Sequence, residues 1–355
     1  MLFITTLALV GIGLIMVFSS SAVTASVENH SPYYFFQRQL IWALIGLLVM
    51  IVIMRINYLR LKEFAFPLMI IAVVCLLLVM TPLGVEASGS TRSLGLGGLS
   101  FTPSELVKLA AVMFLAKTME INIDKMKSFK SGVLPYLVIM AAICALVLAQ
   151  PDLGTSFVIA GTIFCMLLVA GARWLHLGLL GVAGAGAVAL AIVLADYRAE
   201  RFLAFLNPWK YPTDQGYQTI QSLYALGSGG LFGLGLGRSR QKFFYLPEQH
   251  TDFIFAIMGE ELGFMGALLV LTLFLLFAWR GFKIAINAPD TFGSLLAAGI
   301  TIMIVFQAFV NIGVVCGALP VTGITLPFIS YGGSSLLFTM AGVGLLLNIS
   351  RYSSI

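Results

Sequence analysis

The feature that most limits how this chain can fold is a succession of long, nearly charge-free apolar runs, beginning at Leu2 and recurring almost to the C-terminus. A helix needs roughly 20 mainly apolar residues to cross the hydrocarbon core of a bilayer. About ten candidates are found, at approximately Leu2–Ser20, Gln39–Met54, Phe64–Met80, Pro103–Met119, Gly132–Ala149, Gly154–Gly171, Leu175–Ala195, Asp252–Trp279, Phe292–Val315 and Ser334–Ile349. Only 10% of the residues are charged and 60% are hydrophobic. Soluble domains carry about 25% and 45–50%, so no water-soluble core hides this much apolar surface. The expected fold is an all-α integral membrane protein, one polytopic domain over residues 1–355. No internal repeat or second soluble domain is visible. Met1–Phe18 lacks the basic start of a signal peptide and reads as the first span.

Basic residues set the expected orientation. Arg55, Arg60, Lys62, Lys117, Lys125, Lys127, Lys130, Arg173, Arg280, Lys283 and Arg351 fall on one side if both termini are cytoplasmic. The opposite short connections are poor in Lys and Arg, with Arg38 and Arg92 as exceptions. One large extracellular loop, residues 196–251, joins helices seven and eight. It carries Arg198, Arg201, Lys210, Arg238, Arg240 and Lys242 and the glycine-rich run LGSGGLFGLGLG. A loop of this length is translocated despite its charge. The four cysteines are scattered through apolar runs without a CxxC pair, and the three histidines are far apart. Neither a disulfide set nor a metal site is expected, and no nucleic-acid partner.

The polar residues that remain are few enough to weigh singly. Asp252, in LPEQHTDFIFAIMGEELGF, stands where the eighth span begins. It is either a helix N-cap or a general base whose pKa partial desolvation raises. His250 and Glu248 are its polar neighbours or solvated loop residues. Glu260 and Glu261 lie two turns inside the span, and Glu260 shares roughly the face of Asp252. Intramembrane carboxylates are paired or functional. In FTPSELVKLA, Glu105 and Lys108 are three apart and can pair on one helix face, as a structural ion pair or as the lining of a polar cavity. Asp152, in AQPDLGTS, is a turn residue that can join an outer cavity. Basic groups and glycine N–H groups are what a phosphate-bearing ligand needs, which makes Arg198, Arg201, Arg238, Arg240 and Lys242 substrate-binding candidates beside the reading of a solvated surface. The last outer connection, NIGVVCGALPVTGITLPFISYGGSS, requires irregular backbone, which is tolerated at membrane depth only when buried in protein or lining a watery cavity.

These four stretches resemble the landmarks of the SEDS family (shape, elongation, division and sporulation proteins), and the likeness runs from the first span to the last. Residues 201–248 are most similar to the division and sporulation branch, FtsW and its relatives, with the elongation branch, RodA, second. The resemblance implies ten transmembrane helices in the bacterial cytoplasmic (inner) membrane and peptidoglycan glycosyltransferase activity on lipid II, a disaccharide-pentapeptide carried on undecaprenyl pyrophosphate. It matches the family's essential aspartate to Asp252 and its polar cavity residues to Glu105 and Lys108. It implies a class B penicillin-binding protein, a transpeptidase, as partner, with other divisome proteins. Forming a β-1,4 linkage from an α-linked donor needs one in-line displacement, a base at the acceptor hydroxyl and positive charge at the leaving pyrophosphate. The basic candidates with Lys108 are expected to supply that charge. Mg²⁺ held between Asp252 and phosphate oxygens is an additional expectation; no protein-only metal site is. The rivals are a lipid II flippase and a non-catalytic scaffold for a partner synthase.

Overall fold

The structure, a computed structural model, describes residues 1–28, 30–87, 90–96, 99–193 and 196–353. The apolar runs fold as helices because only a helix satisfies every backbone N–H and C=O within one segment when no water is present. The first two are α1 (Leu2–Val27) and α2 (Tyr34–Arg55). A short α3 (Tyr58–Glu63) is capped by Asn57, whose side chain accepts from Leu59 N at 2.9 Å. It is followed by α4 (Ala65–Val79). Residues 84–101 form a feature that the apolar pattern did not reveal, a three-stranded antiparallel sheet of β1 (Gly84–Ala87), β2 (Ser90–Leu96) and β3 (Leu99–Phe101) in that spatial order. In its register Leu94 stands opposite both Gly84 and Phe101.

The sheet leads into α5 (Pro103–Ile121), which opens on a proline in its first turn, where the missing N–H costs no hydrogen bond. A π-helical turn over Phe129–Val133 runs into α6 (Leu134–Leu148), and α7 (Leu153–Val169) and α8 (Trp174–Val193) follow. The 196–251 stretch, expected as a loop, contains α9 (Asp196–Leu206) and α10 (Tyr217–Gly229) and then a run of turns. The chain ends with α11 (Ile254–Ile286), α12 (Thr291–Val315), capped by Asp290 on Gly293 N at 2.8 Å, and α13 (Gly333–Ser350).

Among the described residues, six helices are long and apolar enough to cross a membrane: α1, α2, the Phe129–Leu148 stretch, α11, α12 and α13. α4, α7 and Trp174–Gly186 of α8 are shorter apolar helices. α5 carries Glu105, Lys108, Lys117 and Glu120, yet most of it is buried among the other helices. The protein is a multi-pass membrane protein. Its outer faces confirm lipid as the solvent, because Ile41, Leu44 and Leu48 of α2, Ile70 and Ile71 of α4 and Leu275 of α11 are exposed. The centre is built around α12 and α13, where Leu296, Ala297, Ile300, Val343 and Leu346 are fully enclosed.

Helix α11 is broken once. Gly263 has φ 69°, ψ −168°, a conformation that costs glycine nothing and other residues much. The break lets the 229–235 segment lie directly on the helix. Leu234 N and Gly235 N donate to the carbonyls of Glu260 and Glu261 at 3.0 Å each, and Phe264 N donates to Gly230 O at 2.9 Å. A Cβ on Gly229, Gly233 or Gly263 would strike backbone of the opposite segment.

Candidate active site

Asp252 lies in the turn just before α11, not within the helix as the apolar pattern suggested, and it is half-buried. It therefore does not share a helical face with Glu260. The turn is closed by Glu248, whose carbonyl accepts from Thr251 N at 3.3 Å and Phe253 N at 3.2 Å and whose carboxylate accepts from Thr251 Oγ1 at 2.8 Å.

Three successive carbonyls of this turn are gripped from outside it. His250 O accepts from Tyr331 N at 2.9 Å, Thr251 O from Ser330 Oγ at 2.5 Å, and Asp252 O from Asn311 Nδ2 at 2.8 Å. Asn311 Nδ2 also donates to Ile324 O at 2.7 Å, and one turn earlier on α12 Gln307 Nε2 donates to Thr325 O at 2.9 Å. From α2, Gln39 Nε2 donates to Ser330 O at 3.0 Å and its Oε1 accepts from Gly332 N at 3.2 Å. Side chains from α2 and α12 thus satisfy part of the irregular 319–332 backbone; such backbone at membrane depth is buried in protein or set against a watery cavity. Gly323, at φ 70°, brings that backbone against the aspartate: a Cβ there would lie 3.6 Å from Asp252 Oδ2.

Burial raises the Asp252 carboxyl to about 7, aided by the nearby charges of Glu248 and Asp152 and opposed by Arg92. Asp152 caps α7, accepting from Thr155 N at 2.9 Å and Thr155 Oγ1 at 2.8 Å. Arg92, on β2, reaches it: Nη1 lies 4.0 Å from Asp152 Oδ2, and Nη2 donates to Pro151 O at 2.8 Å. Arg92 is the site cation that the sequence did not single out; its only signal was a basic residue on the side expected to be poor in them. His250 packs against Phe35 and Tyr331, with ring centroids at 4.8 and 5.6 Å, and burial lowers its pKa.

The Glu105–Lys108 pair forms on α5 as expected, with Nζ 2.9 Å from the carboxylate. Lys108 Nζ also donates to Gln307 Oε1 at 2.6 Å, so one chain of contacts runs from Lys108 through Gln307 to Thr325, two residues from Gly323.

The basic candidates of residues 196–251 divide. Lys242 is buried and paired with Glu261 at 3.0 Å, not displayed to a phosphate as the sequence reading had it. Glu261 also accepts from Ser19 Oγ at 2.6 Å and Ser239 N at 3.2 Å. Its neighbour Glu260 accepts from Ser239 Oγ and from Arg240 N at 2.9 Å. These two carboxylates clasp residues 239–242, and Arg238 and Arg240 stand exposed on either side of buried Ser239. They flank this clasp; the charges acting on Asp252 are Glu248, Arg92 and Asp152. Arg198 and Arg201 lie on α9, and their side chains fall outside the described residues. Among the described residues no three His, Cys, Asp or Glu side chains come together as a metal site. A cation at Asp252 would draw most of its ligands from a bound phosphate.

A family model for cell cycle proteins, covering FtsW, RodA and SpoVE, matches residues 1–355. The chain is 49% identical over 354 residues to stage V sporulation protein E of Bacillus subtilis (strain 168), covering 99% of this chain and 97% of that one. It is 44% identical over 344 residues to the probable peptidoglycan glycosyltransferase FtsW of Geobacter metallireducens, covering 97% and 92%. Among solved structures, a chain of a peptidoglycan synthase complex that coordinates polymerization and crosslinking superposes with a TM-score of 0.83 at 34% identity, over 99% of this chain and 97% of that chain. The rod shape determining protein RodA of Thermus thermophilus superposes with a TM-score of 0.71 at 31% identity, over 100% and 97%.

Proposed function

The chain belongs to the cell cycle protein family of FtsW, RodA and SpoVE, it is a peptidoglycan glycosyltransferase, and we propose that it polymerises lipid II with Asp252 as the general base. The observation that carries this role is a carboxyl with a pKa of about 7, fixed by its backbone beside Arg92 and Asp152. An ordinary carboxylate near 3.9 is a weaker base for a sugar hydroxyl than one whose pKa lies near the operating pH. One near 7 is about half ionised at pH 7 and binds the departing proton more strongly.

In the proposed reaction the acceptor sugar's 4-hydroxyl attacks the anomeric carbon of the donor, and its proton passes to Asp252. The bond from that carbon to pyrophosphate oxygen breaks in the same displacement, and undecaprenyl pyrophosphate leaves with the electron pair. Inversion turns the α-linked donor into a β-1,4 link. Arg92 is placed to offset negative charge near the aspartate, and Arg238 and Arg240 are exposed cations for phosphate. Lys108, held by Glu105 and Gln307, acts by keeping the 323–325 backbone in place. A divalent cation would sit between Asp252 and phosphate oxygens. The site faces the outer side of the bacterial cytoplasmic membrane in this reading, which follows from the basic residues clustered at the other face. The partner is a class B penicillin-binding protein, supported by the likeness to a chain of a peptidoglycan synthase complex.

The test is purified protein with its transpeptidase partner and labelled lipid II, with and without Mg²⁺, read as glycan ladders on a gel. Asp252→Asn is expected to bind lipid II and form no ladder. A full ladder from that variant removes the general-base role.

A further inference from the structure

A second polar feature lies far from Asp252. Helix α5 starts beside the site, where Thr102 N donates to Ser334 Oγ at 3.1 Å, and α7 starts at Asp152. Both therefore end at the opposite membrane face. There, the connections that follow them border an open cleft of ≈ 380 Å³ lined by Asp124, Lys127, Ser128, Phe129, Arg173 and His176. None of these residues takes part in the chemistry above.

The lining favours an anion. Lys127 and Arg173 are exposed cations set against one carboxylate, and Ser128 adds a hydroxyl donor. His176 packs edge-on to Phe129 at 5.3 Å, and its Nδ1 is buried without a hydrogen-bond partner. Arg173 directly precedes α8, whose first N–H groups have no acceptor within the helix. The rim is apolar. Phe129, Trp174 and Leu175 are all exposed, Trp174 by 77%. A free anion in water has no use for such a rim. A lipid does, because tryptophan settles at headgroup depth and leucine faces the acyl chains. The acidic Asp124 narrows the ligand further, to a headgroup with hydroxyl donors of its own.

We infer that this cleft binds the phosphodiester headgroup of an anionic, hydroxyl-bearing phospholipid of the phosphatidylglycerol type, with its acyl chains lying along Trp174 and Leu175. Basic pockets between spans at the cytoplasmic face hold such headgroups. The site is independent of catalysis, so its failure in a test leaves the glycosyltransferase reading untouched.

The full chain, purified in detergent, is melted in mixed micelles containing phosphatidylglycerol, phosphatidylcholine or neither, and separately with inorganic phosphate. Phosphatidylglycerol is expected to raise the Tm by about 3 °C or more beyond phosphatidylcholine, the scale on which ligand binding to the folded state shifts a melt. In Lys127→Ala/Arg173→Ala at least half of that difference disappears, while Arg280→Gln, which removes a basic residue elsewhere, keeps it. Should the double variant fold poorly, Arg173→Gln alone is assayed by native mass spectrometry, where fewer retained phosphatidylglycerol molecules than in the parent are expected. An undiminished difference or unchanged lipid retention overturns the proposal. So does an equal rise with inorganic phosphate alone.

Discussion

Asn311 fixes the backbone of Asp252, its Nδ2 donating to the Asp252 carbonyl at 2.8 Å and to the Ile324 carbonyl at 2.7 Å. One buried amide thus ties the start of α11 to the loop before α13. Asn311→Asp keeps the shape but replaces the shared donor with an acceptor facing two carbonyl oxygens. It is expected to cost at least ~1–3 kcal/mol, the scale for buried polar groups left unpaired. The added negative charge also pushes the Asp252 pKa higher. Thermal melts and the acid limb of the pH–rate profile check the two effects separately.

Asp252 itself sets that limb. The carboxylate form is the base, so kcat/KM should rise with pH and level off above an apparent pKa of about 7. A limb near 4 would mean the carboxyl is not raised. Asp252→Asn should lower turnover by about 10²–10⁴-fold or more, the usual contribution of a general base.

The same shift has a thermodynamic counterpart. Folding disfavours the charged form of a carboxyl whose pKa it raises. The stability linked to this group is complete below an unfolded pKa of about 3.9 and is lost as the pH rises through about 7. Asp252→Asn is uncharged throughout and should melt above the parent at pH 8, with the gap closing toward pH 4. A variant that melts below the parent at pH 8 contradicts the burial argument.

Breaking the Glu105–Lys108 pair from one side should be costly. Lys108→Ala leaves Glu105 without its cation in a buried site and is expected to destabilise by ~3–5 kcal/mol. Glu105→Leu/Lys108→Met removes both charges and should recover much of the melt. Activity decides between the roles the sequence left open. A double variant that polymerises normally has lost only a structural pair, whereas one that folds without polymerising has lost a group the site needs.

Glu260→Gln replaces with an amide donor one of the two acceptor oxygens, of which Oε2 takes the Ser239 hydroxyl and Oε1 the Arg240 N–H. Residues 236–247 should then exchange amide hydrogens faster and become sensitive to trypsin at Arg238 and Arg240. Unchanged protection would mean the clasp is not held by this carboxylate.

The membrane architecture was legible because lipid leaves so little choice. The apolar runs place most helices within a few residues of where they lie, and α5 begins at Pro103 as read. The Glu105–Lys108 pair was legible because spacing by three fixes it on one helical face. The partners of Asp252 were not. Arg92 and Pro151 are 59 residues apart, as are Asn311 and Asp252, and no local pattern joins them. Lys242 read as a surface cation because Glu261 lies 19 residues further on, across the turns and the start of α11. A signal for the clamp did exist: Gln307 and Asn311 are amides four residues apart in an apolar helix, and buried amides at such spacing need partners. The small sheet over residues 84–101 had none, since its strands are short and rich in Gly and Ser.

Where the 229–235 chain lies on α11 there is no side-chain layer to slide within; glycine meets main chain directly. The two strips are a lever cast in one piece. Residues 229–235 and the first turns of α11 are therefore held as one unit, and a shift of either strip carries the other with it.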